Sequence, residues 1–324
     1  WNVAANWSPN QVPGASDSAL ITNNGTYTLT LDTSPTLASL TLGGTSGAQT
    51  LAVNGNTLTL DALSTAGVNA VVEFNGGTIA GTGEFLINGA MVWTGGTISS
   101  VGGVTANGTL LVSGAAQKLV RGGVLRNGGA AQWTQEELYV DGGGMLSNRV
   151  GATFDVAFDG AVDQSSGSVG AIYNAGLWRK TSGANVAAIN VAFHNSGGTV
   201  EVQTGTMRLT QGGTSSGAFN PGSGGVVEVS SWGYMLESSA TLGGAGEFLC
   251  SGATVTNRAQ GGGSLTNRIT DGVVYFERAG GATLPNLVMT GGEVSGSGGV
   301  TVSNGMIWTG GTISSVGGVT ANGT

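Results

Sequence analysis

Charge is nearly absent from this chain. Asp, Glu, Lys and Arg make up 9% of its 324 residues, against about 25% in an ordinary soluble domain. The few charges lean acidic, 18 against 10, for a net charge of −8. That balance excludes nucleic acid and anionic membrane as partners of a basic surface. Proline is scarce, at 5 residues, and glycine follows no triplet, so a collagen-like helix is excluded. Cys250 is the single cysteine; no intrachain disulfide can form, C-x-x-C metal spacing is missing, and the residue reads as a small buried apolar side chain. No apolar run reaches about 18 residues, so no helix spans a membrane. No stretch sustains the 3.6-residue apolar period of an amphipathic helix. The chain opens at Trp1 without Met or a signal-peptide pattern, which reads as a processed or excerpted piece.

Glycine is what the chain has in excess, 62 residues, together with 40% hydrophobic residues. So much apolar content excludes disorder, which needs few aliphatics and high net charge. A folded chain with very many turns remains, and that predicts an all-β protein. Short runs such as "TYTLTL", "LASLTL", "VVEF", "GEFLI", "TLLV", "VEVQ" and "GVVYFE" alternate or are β-branched, and mostly lie between Gly, Asn or Ser. That is the pattern of short strands.

The turns are periodic. Asn followed closely by Gly recurs at Asn127, Asn148, Asn174, Asn195 and Asn220, in steps of 21, 26, 21 and 25 residues. Both residue types tolerate a left-handed backbone, so one bend is expected to return once per unit. Large apolar residues follow several of these turns, at Trp133, Phe154 and Trp178. The period predicts a right-handed parallel β-helix, a β-solenoid of roughly 15 coils with about 20–26 residues each and about 70 Å in length. In such a stack each coil pairs its backbone with the coil below, and inward side chains are buried only by repetition. The spacing of Trp93, Trp133 and Trp178, 40 and 45 residues, is near the length of a propeller blade. Blades need four strands per unit and a closed ring; the finer Asn-Gly period favours the solenoid.

A coarser repeat lies over the fine one. The string "WTGGTISSVGGVTANGT" occurs at Trp93–Thr109 and again at Trp308–Thr324, an offset of 215. The 19 residues before each copy, Phe74–Val92 and Met289–Ile307, share only 5 identities, four of them Gly76, Gly77, Gly81 and Gly83. This reads as duplication of a block of about ten coils. The second copy stops at Thr324 with no visible cap over the strand edges, where a native end needs one. The repeat domain, residues 26–324, is therefore expected to continue beyond the C-terminus or to meet another subunit there. Residues 1–25 are expected to form an N-terminal capping segment, with Trp1 and Trp7 covering the end of the core and turn signals at Pro9-Asn10 and Pro13-Gly14.

The opening "W-x-x-A-x-N-W-S", followed by "P-G-x-x-D-x-A-x-I" over Trp1–Ile21, resembles the first block of bacterial secreted β-strand-repeat proteins. The coils "LRNGGAAQW", "IYNAGLWRKTSG" and "FHNSGGTVEVQTGTMRLTQGG" resemble the repeats of the same adhesin-like or autotransporter-passenger-like group. The resemblance covers nearly the whole chain. It implies a right-handed parallel β-helix at or beyond a bacterial cell surface, and it carries over no functional residue.

Chemistry-bearing residues are sparse. Parallel β-helices also host polysaccharide lyases and hydrolases, which group carboxylates and a base along one face. The nearest equivalent is Asp155, Asp159 and Asp163, preceded by Glu136, Glu137 and Asp141 and followed by Arg179, Lys180 and the single histidine, His194. The motifs of a pectinase-type site are missing, and a solvated polar face is the expectation. The Asp residues, spaced by four, could hold one calcium ion in a loop, but the many Gly-Gly pairs lack the Asp of calcium-binding β-rolls. Lys118, Arg121 and Arg126 read as a wet edge rather than an anion site. Glycosylation sequons at Asn6, Asn24, Asn107 and Asn322 are expected by chance in so Thr-rich a chain. Flat ranks of Thr for ice binding are limited to "TYTLTL".

Trp93, Trp133, Trp178 and Trp308 fit an inward, core-packing pattern, whereas Trp232 with nearby Tyr234 is expected as an exposed, ligand-facing aromatic pair. The sequence thus predicts no catalytic set, cofactor or metal. Its leading functional expectation is an extracellular or cell-surface structural protein that self-associates end to end into a fibre, stalk or filament. Glycan adhesion along one face is the alternative, and a β-helix carbohydrate-active enzyme comes third.

Overall fold

The computed structural model describes residues 1–323, and the chain is all-β. Thr324, where the second copy of the repeated string stops, lies outside the described residues. The helical content is a single 3₁₀ turn, Ala4–Asn6. Everything else with regular structure is strand, from two to 14 residues long, and the strands stack in parallel as a β-solenoid of about 14 turns. The chain divides into two compact units, residues 1–154 with 163–171, and residues 155–162 with 172–323.

In the first unit the coils run through three ranks of paired strands. One rank stacks Thr41, Thr65, Leu86, Thr105, Arg126 and Ser147 in register, so successive coils take 24, 21, 19, 21 and 21 residues. A second stacks Thr50, Val71, Ala90, Thr109 and Ala130. A third stacks Thr57, Thr78, Thr97, Leu119 and Tyr139. In the second unit Arg208, Glu228, Leu249, Arg268, Val288 and Ile307 form one such rank, with steps of 20, 21, 19, 20 and 19. A period near 20 is what three four-residue strands and three corners require.

Many four-residue strands alternate a half-exposed and a buried position, as in Leu177–Lys180 and Thr199–Val202. The side-chain period of two sends alternate residues inward, and stacking then places each inward side chain on its counterpart one coil away. Phe74 and Trp93 stack this way, 6.0 Å apart and 10° from parallel. Trp178 meets Phe193 edge-on at 5.7 Å. Trp93, Trp133 and Trp178 are fully buried, as their pattern predicts.

Trp308 departs from the expectation. It shares its local sequence with Trp93, yet is 55% exposed where Trp93 is fully buried. Trp93 lies between Phe74 on one coil and Val112 on the next, whereas Trp308 pairs only with Met289 among the described residues. Burial here belongs to the neighbouring coil, not to the local string.

Four of the five recurrent Asn residues serve a different purpose from the one their turn chemistry suggests, while Asn220 is half-exposed within its strand. Asn127, Asn148, Asn174 and Asn195 are fully buried, each closing a strand. None is in the left-handed region; the non-glycine residues there are Glu136 and Trp232. Asn127 Nδ2 donates to Asn148 Oδ1 at 2.8 Å and to the Thr153 carbonyl at 2.8 Å. In the second unit Asn174 Nδ2 donates to Asn195 Oδ1 at 2.9 Å, and Asn195 Nδ2 to Ser215 Oγ at 3.3 Å. These are inward ladders that join coils at a corner, where backbone groups have turned away from the sheet and need side-chain partners.

Glycine enters the corners partly for space. A Cβ on Gly108 would lie 2.0 Å from the Gly89 carbonyl oxygen, and one on Gly129 would lie 2.0 Å from that of Gly108. Successive corners approach so closely that no side chain fits between them.

Candidate functional site

The acidic group read from the sequence is not gathered into a cleft. Asp155 receives both arms of Arg179, Nε at 2.8 Å and Nη2 at 2.9 Å. Asp159 is bound by Lys180 Nζ at 2.6 Å and by the backbone and side-chain amides of Asn185. Lys180 is itself fully buried and also donates to the carbonyls of Ser182 and Gly183, so the ion pair pins the loop that follows its strand. Hydrogen bonds from Lys180 and Asn185 hold the Asp159 carboxyl below its usual range despite desolvation. Asp163 accepts from its own neighbour's amide, Gln164 N. Among the described residues no group of three His, Cys, Asp or Glu side chains is placed to hold a metal ion.

The strongest electrostatic arrangement is in the first unit. Asp141 is fully buried. It is gripped by Arg121 through Nε at 2.9 Å and Nη2 at 3.1 Å, and by Ser165 Oγ with the amides of Ser165 and Ser166. Arg121, and after it the Ser165 and Ser166 donors, hold the carboxyl down to about 2. The set fastens residues 165–166 to the coil below.

Glu136 adopts φ +62° and offers its carbonyl to Trp133 Nε1 at 2.8 Å. Glu137 accepts from the Tyr139 hydroxyl, and this raises the phenol's pKa. Lys118, expected on a wet edge, is buried instead. Its ammonium donates to the carbonyls of Gly114 and Ala116, and burial lowers its pKa. A lysine stem can fill a corner only if loop carbonyls receive the charge, which the sequence could not show. Arg126 reaches the Gly102 carbonyl and Glu84. Cys250 is buried, with its Sγ 3.4 Å from the Ala253 carbonyl, and burial pushes its pKa up.

The expected aromatic pair is split. Trp232 is 70% exposed at a corner, with φ +59°. Tyr234 is buried, packed edge-on against Phe219 at 6.1 Å, and its hydroxyl has no hydrogen-bond partner among the described residues. The reason is local. Trp232 occupies the corner before the strand Gly233–Leu236, so the alternation begins after it and turns Tyr234 inward.

His194 stands on the outward side of its strand, stacked on Tyr173 at 4.9 Å and 19°, with Nδ1 3.0 Å from Thr214 Oγ1. Burial lowers its pKa. At the other end of the sequence, Trp1 is buried, with Trp7 edge-on against it at 4.9 Å and Trp7 Nε1 donating to the Trp1 carbonyl.

No family model, curated protein or solved structure matches this chain, and what identifies it is therefore its architecture, a parallel β-solenoid whose charged side chains join one coil to the next.

Proposed function

We propose that the chain is an extracellular structural element of a bacterial surface, built to form a fibre by coil-on-coil stacking. One observation carries this reading: all 10 Lys and Arg side chains are engaged within the chain itself. Most reach a carboxylate one coil away, as Arg208 does to Glu228, Arg268 to Glu247 and Arg258 to Glu277. Here the cationic side chains fasten coils to one another. The resemblance of Trp1–Ile21 and the Asn-Gly coils to secreted repeat proteins supports the extracellular setting.

Repetition also suits the role, since each coil presents to the next the paired backbone and inward side chains that it receives from the one before. Sedimentation velocity across a hundredfold range of protein concentration tests the proposal. Fibre formation predicts species that grow with concentration; a single monomeric boundary at every concentration contradicts it.

A further inference from the structure

One face of the first unit carries a two-dimensional array that neither coil stacking nor the ionic contacts use. Thr57, Thr78 and Thr97 stand in register on three successive coils. Two positions further along each strand, Thr36, Thr59, Ala80 and Ser99 form a second rank beside the first. All seven are half-exposed, and Ala80 alone lacks a hydroxyl. Between the ranks Leu58, Ile79 and Ile98 point inward and are fully buried, so the array rests on core and is held in place by the backbone pairing between coils.

The hydroxyls of this face are uncommitted. Elsewhere in the unit Thr94 donates to Asn75 and Thr105 to Glu84. Among the described residues, no hydroxyl of Thr36, Thr57, Thr59, Thr78 or Thr97 bonds within the chain. Neither rank holds a charge. Leu119, in register with Thr97, and Arg121, paired to Asp141, end the array on the next coil. Asp61 follows the strand Gln49–Leu60 and lies outside both ranks. The Thr-rich run at Tyr27–Thr30, where the sequence puts its flat rank, supplies none: Thr30 pairs with buried Ala52, and the coil after that brings Glu73.

We infer that this face binds ice, with the prism plane of hexagonal ice as its ligand. Two repeats cross on it, about 4.8 Å from coil to coil and about 6.7 Å between outward positions along a strand, each within about a tenth of an oxygen repeat on that plane. A chain-like ligand lying along the stack would use the first repeat only, whereas a crystal lattice uses both. Each Thr offers a hydroxyl in place of a lattice water and a methyl group that binds no water of its own. Charged groups would orient water around themselves, and the array has none. Because the positions are fixed before contact, no ordering of the protein opposes adsorption. The face needs coils of one unit only and is independent of fibre formation.

Nanolitre osmometry of the full chain, with single ice crystals watched during cooling, tests this. The expected result is a gap between melting and freezing temperatures that widens with protein concentration, with crystals arrested on their prism faces. Thr78→Tyr, which raises a ring at the centre of the first rank, should remove the gap, and so should Thr59→Tyr in the second. Thr41→Tyr, at a half-exposed strand position on another face, should leave it unchanged. Circular dichroism confirms the fold of each variant. The inference is overturned if the parent chain gives no gap and unshaped crystals, if folded Thr78→Tyr or Thr59→Tyr keeps the full gap, or if Thr41→Tyr loses as much. Labelled protein that coats only the basal plane of a crystal would overturn it as well.

Discussion

Asn127 and Asn148 are joined side chain to side chain, Nδ2 to Oδ1 at 2.8 Å, with both residues fully buried and their positions one coil apart. In the second unit Asn195 carries the same device, accepting from Asn174 Nδ2 and donating to Ser215 Oγ and the Ala218 carbonyl at 3.1 Å. Replacing Asn195 with Ala removes an acceptor and both donors from a fully buried site. The expected cost is about 3 kcal/mol. Asn195→Asp should cost at least as much, since a carboxylate cannot donate to Ser215 or the Ala218 carbonyl. Hydrogen exchange of the strands Ala192–Asn195 and Ala171–Asn174 checks this locally, which suits a repeat array that need not unfold as one unit. Unchanged protection in Asn195→Ala would contradict the ladder's role.

Tyr234 makes the opposite case. Its hydroxyl is buried without a partner, and desolvation alone pushes its pKa far above the usual phenol value. Tyr234→Phe removes an unsatisfied polar group while keeping the ring against Phe219, so stability should stay level or rise by up to about 1 kcal/mol. Chemical denaturation of the two proteins decides, and a clear loss of stability would show that the hydroxyl has a partner.

Acid should loosen the first unit at one identifiable place. The Asp141 carboxyl is held down to about 2, chiefly by Arg121 and then by the Ser165 and Ser166 donors. A carboxylate whose pKa is depressed on folding contributes stability above its unfolded value, near 3.8. That contribution fades as pH falls from there through about 2, and for this group it amounts to about 2 kcal/mol. Amide exchange at Ser165 and Ser166 should accelerate over that window in the native protein. In Asp141→Asn it should be fast already at neutral pH and respond little to acid.

Trp232→Gly should stabilise the fold by about 1 kcal/mol, because glycine takes the left-handed conformation without the strain a tryptophan bears there. Thermal melting measures this. A drop in Tm would mean that the indole has packing partners in solution.

The architecture was legible because it is written redundantly. Short alternating strands, a period near 20 and glycine-rich corners all describe one stack, and Trp93, Trp133 and Trp178 lie inside as their pattern implies. What escaped the sequence depends on relations between coils. The Asn spacing was visible, but a left-handed turn and a buried ladder leave the same spacing in the sequence, and only the stack distinguishes them. Trp308 opens the same string as Trp93, yet it is exposed, because among the described residues a strand pairs with it on one side alone. Tyr234 lies two residues from an exposed Trp, and the start of the strand at Gly233 sends it inward. The sequence sets Arg179 and Lys180 one coil after the acidic residues, but which carboxylate each engages, Asp155 for Arg179 and Asp159 for Lys180, is fixed only by the register of the coils.

The central claim, that the solenoid is a structural polymer, is tested most directly by electron microscopy of the purified chain at high concentration. The account predicts unbranched filaments whose diffraction carries the strand spacing of about 4.8 Å along the fibre axis. A field of isolated particles of uniform length at every concentration would contradict it.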